Sequence, residues 1–144
     1  MLDPRYLAGF IDGEGYIGLY PHNKSDSHYV CAIKIGQTGR GIAVLEELQR
    51  EYGGDIHKRQ YNGRRQAAQW SLRGKSPIAG FLTPIEPYLR VKKRQAQAML
   101  EFCRLPNNSP LYKSYDPKIT DKKRELMLEI KSLIAEGRPV ATTE

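Results

Sequence analysis

The sequence predicts an α+β fold, an antiparallel sheet covered by helices on one face. Three observations carry this. Two pairs of strand-like segments are each followed by helix-like runs. Asn62-Gly63, a strong hairpin dipeptide, joins the second pair. Asp3-Pro4 and Ser76-Pro77 precede apolar runs as helix starts do.

Asp3 can cap the first helix and Pro4 presets its φ; it runs over 4–13 at most and stops at Gly13 and Gly15. Tyr16–Tyr20 reads as a strand, and the polar stretch 21–28 joins it to a second at Tyr29–Gln37. There Cys31, Ile33 and Ile35 share one face, and His28, Val30, Ala32 and Lys34 the other. After a turn containing Arg40, residues 41–52 place Ile42, Leu45 and Leu48 at helical spacing before Gly53-Gly54. Residues 55–61 and 66–73 form the hairpin, and a helix from Ser76-Pro77 continues to the Pro84–Pro87 region. Lys92–Leu105 is helical, with Ala96, Met99, Leu100 and Cys103 on one face. Asp116–Ala135 supplies the last helix, Leu126, Ile130, Leu133 and Ile134 inward. Residues 1–136 read as one domain and 137–144 as a flexible tail.

The chain has 144 residues, 40% hydrophobic and 27% charged, which suits a single globular core and excludes a coiled coil. No apolar run reaches the ~20 residues of a membrane span, and no membrane partner is expected. MLDPRYLAGF shows neither a basic leader nor a cleavage-site pattern, so an intracellular protein is expected, in a prokaryotic or phage-infected cytoplasm or in an organelle. Cys31 and Cys103 read as reduced thiols, too few for a disulfide framework or a structural zinc site.

The net charge of +7 is concentrated. Residues 1–55 are net −3, residues 56–104 net +9 and residues 105–144 net +1. No acid occurs between Asp55 and Glu86. Clustered cations are either a solvated surface or a polyanion face, since a polyanion repays like-charge repulsion through counterion release. Gln60, Tyr61, Asn62, Gln66 and Gln69 interleave the cations and can hydrogen-bond base edges. Composition thus points to nucleic acid, without separating DNA from RNA.

Gly9 and Gly13 fall four apart, on one helix stripe with Tyr6 and Phe10. Glycine within a helix costs roughly 0.5–1 kcal/mol relative to alanine, so close packing is wanted on that stripe. The packing could be against the helix's own sheet or against a second helix. The segment Leu7-Ala8-Gly9-Phe10-Ile11-Asp12-Gly13-Glu14-Gly15 closely resembles the signature of the LAGLIDADG homing endonucleases. IKIGQTGRG and PYLRVKKRQAQ also resemble the single-motif, homodimeric branch of that family, and the likeness spans about residues 5–105.

The resemblance implies an αββαββα homing endonuclease fold with a saddle-shaped sheet. It implies that Tyr6, Gly9, Phe10 and Gly13 meet a symmetry mate in an isologous homodimer, while Leu7 and Ile11 enter the protomer core. Two copies of Glu14 would then lie a few Å apart, an arrangement that requires a neutralising cation. Hard oxygen ligands, the Glu14 carboxylate and by resemblance the Gly13 carbonyl, suit Mg²⁺ or Mn²⁺. The family more often has Asp where Glu14 stands. By the same resemblance Gln37 positions a water and Lys92 offsets charge near the scissile phosphate. Asp12 caps or braces rather than binding metal. IAGFLTPIE (78–86) echoes the motif, but Ile85 occupies the acid's place, so that segment is structural and catalysis requires two chains.

On such a saddle, alternation directs Tyr16, Gly18, Tyr20, His28, Val30, Ala32 and Lys34 to the DNA groove, with His22, Lys24, Ser25 and Arg40 nearby. From the second pair it directs Lys58 or Arg59, Tyr61, Arg64, Arg65, Gln69 and Ser71. Lys93 and Arg94 are expected on phosphates alone. The expected activity is Mg²⁺-dependent, site-specific cleavage of double-stranded DNA leaving short 3′ overhangs, serving the mobility of a host intron or element. The competing reading is a non-cleaving binder of the same fold, an RNA maturase acting on host intron RNA or a DNA-binding regulator.

Overall fold

Asp3 begins the first helix as its sequence suggests: its carboxylate accepts the Arg5 amide at 2.7 Å, with Pro4 in the first helical position. The computed structural model describes residues 1–22, 25–60, 66–111 and 113–136, the side chains of 25–27 excepted. The expected flexible tail 137–144 lies outside the described residues. The elements run α1 (Pro4–Glu14), β1 (Gly15–His22), β2 (Ser25–Thr38), α2 (Ile42–Tyr52), β3 (Asp55–Gln60), β4 (Gln66–Arg73), α3 (Lys75–Leu82), α4 (Lys93–Arg104) and α5 (Pro117–Glu136). Single 3-10 turns occur at Gly39–Gly41 and Glu86–Tyr88.

The four strands form one antiparallel sheet in the order β1-β2-β4-β3. Tyr16, Lys34, Ser71 and Asp55 lie across it in one row; Ile17, Ile33 and Leu72 lie in the next, on the opposite face. The second face meets the helices. Ile17, Ile33, Ile35 and Trp70 are fully buried there with Leu7 and Ile11 of α1, Leu45 and Leu48 of α2, and Phe81 of α3. Each such side chain contributes roughly 1.5–3 kcal/mol by leaving water. The other face is open, so the predicted one-sided architecture holds.

Trp70 locks the α2–β3 connection. Its indole N–H donates to the Gly53 carbonyl at 2.8 Å. Gly53 and Gly54 hold φ of 78° and 89°, and a Cβ on Gly54 would lie 2.5 Å from the Ser71 carbonyl oxygen. Glycine is required there by backbone conformation and by space.

Three expectations change. The first helix passes through Gly13 to Glu14, because Lys92 and the Gly15 amide satisfy carbonyls at its end. The stretch 21–28 is less loop than expected, since β1 extends to His22 and β2 starts at Ser25. Gly18 and Ala32 sit on the open face yet are buried, because the Tyr16 ring covers Gly18 beside Ala32. In α5, Leu126 and Ile130 are buried as predicted, while Leu133 and Ile134 are half-buried.

Candidate active site

Glu14 is the last residue of α1 and is exposed. Gly15 makes its position possible: a Cβ there would come within 2.9 Å of the Ile11 backbone, so only glycine lets β1 leave the helix so closely. On the outer side of α1, Tyr6, Gly9 and Gly13 are exposed and Phe10 is half-buried. A Cβ on Gly9 or Gly13 would meet nothing within 4 Å. The protomer's own packing therefore does not explain these glycines. Leu7 and Ile11, on the opposite side, are fully buried.

Glu14 lines an open groove of about 500 Å³ with Gln37, Thr38, His57, Arg59 and Gln69. Gln37, next to last in β2, pairs with Ala68 on the helix side, and its half-buried side chain lies over Gly41. His57 and Gln69 are cross-strand partners on the open face, and Arg59 lies two residues beyond His57 on the same side. His57 and Thr38 were not among the predicted site residues. The alternation that selects Arg59 also selects His57, whereas Thr38 enters because β2 runs one residue further at its C-terminal end than expected.

Asp12 and Lys92 build the other side of the helix end. The Asp12 carboxylate accepts the amides of Arg90, Val91 and Lys92 at 2.9, 3.1 and 2.9 Å. Asp12 thus braces the 90–92 turn of its own chain. The Lys92 ammonium donates to the carbonyls of Ile11 at 3.0 Å and Asp12 at 3.1 Å, placing a cation at the negative end of the helix dipole. Burial lowers the Lys92 pKa from its ordinary 10.5, and the carboxylates of Asp12 and Glu14 oppose that shift. Glu14 and Lys92 are therefore electrostatic neighbours. Lys92 nonetheless lines a separate cavity of about 410 Å³, with Tyr16 and Arg94.

The predicted groove-reading residues separate by face. Tyr20, Val30, Lys34, Gln69, Ser71 and Arg59 fall on the open face, and His22, at the end of β1, and His28, within β2, are exposed. The Lys34 ammonium lies 5.8 and 6.0 Å from the ring centroids of Tyr16 and Tyr20, a cation held between aromatics. Lys58 pairs with Ala68 on the helix side of the sheet, so of the two candidates Arg59 faces the groove. Arg40 is exposed in its 3-10 turn. Lys93 donates to the Pro87 carbonyl at 3.4 Å, and Arg94 pairs with Glu129 at 3.2 Å. Lys24, Tyr61, Arg64 and Arg65 lie outside the described residues.

With this geometry in place, the chain matches the family model described as LAGLIDADG endonuclease over residues 7–104. No curated protein matches the chain by sequence. Among solved structures it resembles the homing endonuclease I-CvuI in complex with its target, at 21% identity and a TM-score of 0.71, covering 97% of this chain and 85% of that one. It also resembles the archaeal intron-encoded homing endonuclease I-Vdi141I complexed with DNA, at 20% identity and a TM-score of 0.69, covering 96% and 88%. For the homing endonuclease I-TnaI the values are 20%, 0.64, 95% and 99%.

Proposed function

The chain belongs to the LAGLIDADG endonuclease family, and from that premise we propose that it is a homodimeric, site-specific homing endonuclease. It breaks both strands of a long pseudo-palindromic DNA target, leaves short 3′ overhangs and promotes the mobility of its host intron or element. The exposed Glu14 carboxylate, at the mouth of the groove and at the end of a glycine-striped helix face, supports this reading above all. A second copy packed against Gly9 and Gly13 brings a second Glu14 alongside, an isologous contact.

The donor chemistry fits a divalent cation. Glu14 offers a hard oxygen ligand, and Lys92 takes the carbonyls of Ile11 and Asp12 rather than that of Gly13. Among the described residues no three His, Cys, Asp or Glu side chains gather into a metal cluster. One chain thus supplies one acid, and a site needs its twin and phosphate oxygens. Mg²⁺ or Mn²⁺ held there would polarise the scissile phosphate and acidify a bound water. Gln37 orients water at the groove end through its amide. Lys92, held by Asp12, offsets negative charge beside Glu14. Across the open face, Arg59 can take guanine O6 and N7, and Gln69 adenine N6 and N7, each pair discriminating by ~1–3 kcal/mol.

Cleavage of a plasmid library carrying randomised sites, with and without Mg²⁺, tests the proposal. Double-strand breaks should require the ion, and Glu14→Gln should bind DNA without cutting it. Cutting by Glu14→Gln removes the metal role. Binding of structured intron RNA with no nicking of any DNA site replaces the nuclease with a maturase.

A further inference from the structure

At the other end of β2, two lysines share one aromatic ring. The ammonium of Lys75, in the first turn of α3, lies 5.2 Å from the Phe102 centroid, and that of Lys123 on α5 lies 5.8 Å from it. Lys123 is only 5% exposed. Burial, and then the Lys75 charge, lower its pKa from 10.5. Among the described residues no carboxylate acts on either ammonium. Lys75 instead donates to the Leu105 carbonyl at 2.8 Å and to Asn107 Oδ1 at 3.2 Å. The Cys31 and Cys103 sulfurs lend Lys75 negative charge, but among the described residues nothing of opposite charge acts on Lys123. A buried cation without a counter-ion costs several kcal/mol, and the Lys75 charge repels it as well. Such a cost persists where an anion is to be received.

The space between them is shaped for a small one. A cavity of about 180 Å³ is lined by both lysines, His28, Asn107 and Ser109. At about 30 Å³ per water this equals about six waters, ample room for a tetrahedral oxyanion with part of its hydration. Its wall is rigid. Asn108, 4% exposed, donates to the Asp116 carbonyl and Thr120 Oγ1, both at 2.8 Å, and accepts the Asp116 amide at 3.0 Å. That clamp ties the 107–109 loop to the start of α5 and preforms the site. Ammonium, imidazole, amide and hydroxyl groups together supply the several donors that a multiply charged oxyanion accepts.

We propose that the cleft between Lys75 and Lys123 is a phosphate-binding site separate from the Glu14 groove. Nine residues of strand separate His28 from Gln37, or about 30 Å at ~3.3 Å per residue. A phosphate bound here is therefore remote from Glu14, and its source is either the DNA backbone or a free phosphate-bearing molecule.

Calorimetric titration of the full-length protein with inorganic phosphate, at constant ionic strength, tests the site without any cleavage assay. Saturable binding is expected, weakened about tenfold or more by Lys123→Met, which removes one charged donor and keeps the apolar stem. Lys75→Met should weaken it similarly, and Lys131→Met, an exposed change on the same helix, should leave it unchanged. Should Lys123→Met fail to fold, Lys75→Met and the thermal stabilisation of wild type by phosphate over chloride decide the matter. Displacement of bound phosphate by a short DNA duplex assigns the site to the DNA backbone. Simultaneous binding of both assigns it to a free phosphate compound. No saturable binding to wild type, or wild-type affinity in both methionine variants, overturns the proposal.

Discussion

Asp12 and Lys92 hold each other twice. The Asp12 carboxylate accepts the Lys92 amide at 2.9 Å, and the Lys92 ammonium donates to the Asp12 carbonyl at 3.1 Å. This reciprocal pair welds the end of α1 to the turn before α4, and so sets where Glu14 emerges.

Replacing Asp12 with Ala strands three amides that now share one charged acceptor. Bonds to a charged group contribute about 1.5–3 kcal/mol each, but the turn can rehydrate, so a loss of about 2–3 kcal/mol overall is expected. Urea unfolding should show a lower midpoint at an unchanged slope. A midpoint equal to wild type would deny the weld.

Gly9→Leu separates folding from assembly. Nothing lies within 4 Å of the new Cβ, and leucine is the better helix former by up to ~1 kcal/mol. The protomer should melt no lower than wild type, while on the proposed pairing sedimentation should report a dimer for wild type and a monomer for the variant. A dimer that survives the leucine refutes pairing through this face.

Gly15→Ala acts inside the protomer. Its Cβ would press on the Ile11 backbone at 2.9 Å, and such overpacking costs typically ~1–3 kcal/mol. Chemical denaturation measures the loss, and a neutral substitution would mean that β1 leaves α1 less tightly than described.

The pH dependence of stability has a definite sign. The Cys103 thiol donates to the Cys31 sulfur and lowers the Cys31 pKa from 9.0 to about 7. Between those values the unfolded chain binds more protons than the folded one, so stability rises with pH and is lost as pH falls through about 7. Burial lowers Lys75, Lys92 and Lys123, which adds the same slope in the window below 10.5. Cys103 is pushed up by its bond to Cys31 and opposes the trend above 9.0. Melting temperature should climb from about pH 7 to 9, and Cys31→Ala should flatten the climb. A falling curve in wild type would contradict the pairing of the two thiols.

Legibility differed by element for physical reasons. The one-sided sheet could be read because apolar and polar residues alternate through Tyr29–Gln37, and the structure buries Ile33 and Ile35 while keeping Lys34 on the open face. The extension of α1 through Gly13 could not, since intrinsic propensity stops the helix there and Lys92, about eighty residues along the chain, joins the Gly15 amide in satisfying its last carbonyls. Lys58 and Arg59 are adjacent cations of equal standing, and register against Ala68 and Ala67 alone separates them. His57 carries no motif of its own and gains its place only from the strand paired beside it.

By itself, then, the amino-acid order determined the strands, the capped helices, the buried stripe of α1 and the nine-residue signature, because each depends on residues a few positions apart. Tertiary structure alone decided that Asp12 is consumed by the 90–92 turn, that His57 joins Glu14 in the groove, and that Lys75 and Lys123 face one ring. Those pairings depend on chain segments that meet only when the apolar face of the sheet is buried, and no local pattern encodes the distance between them.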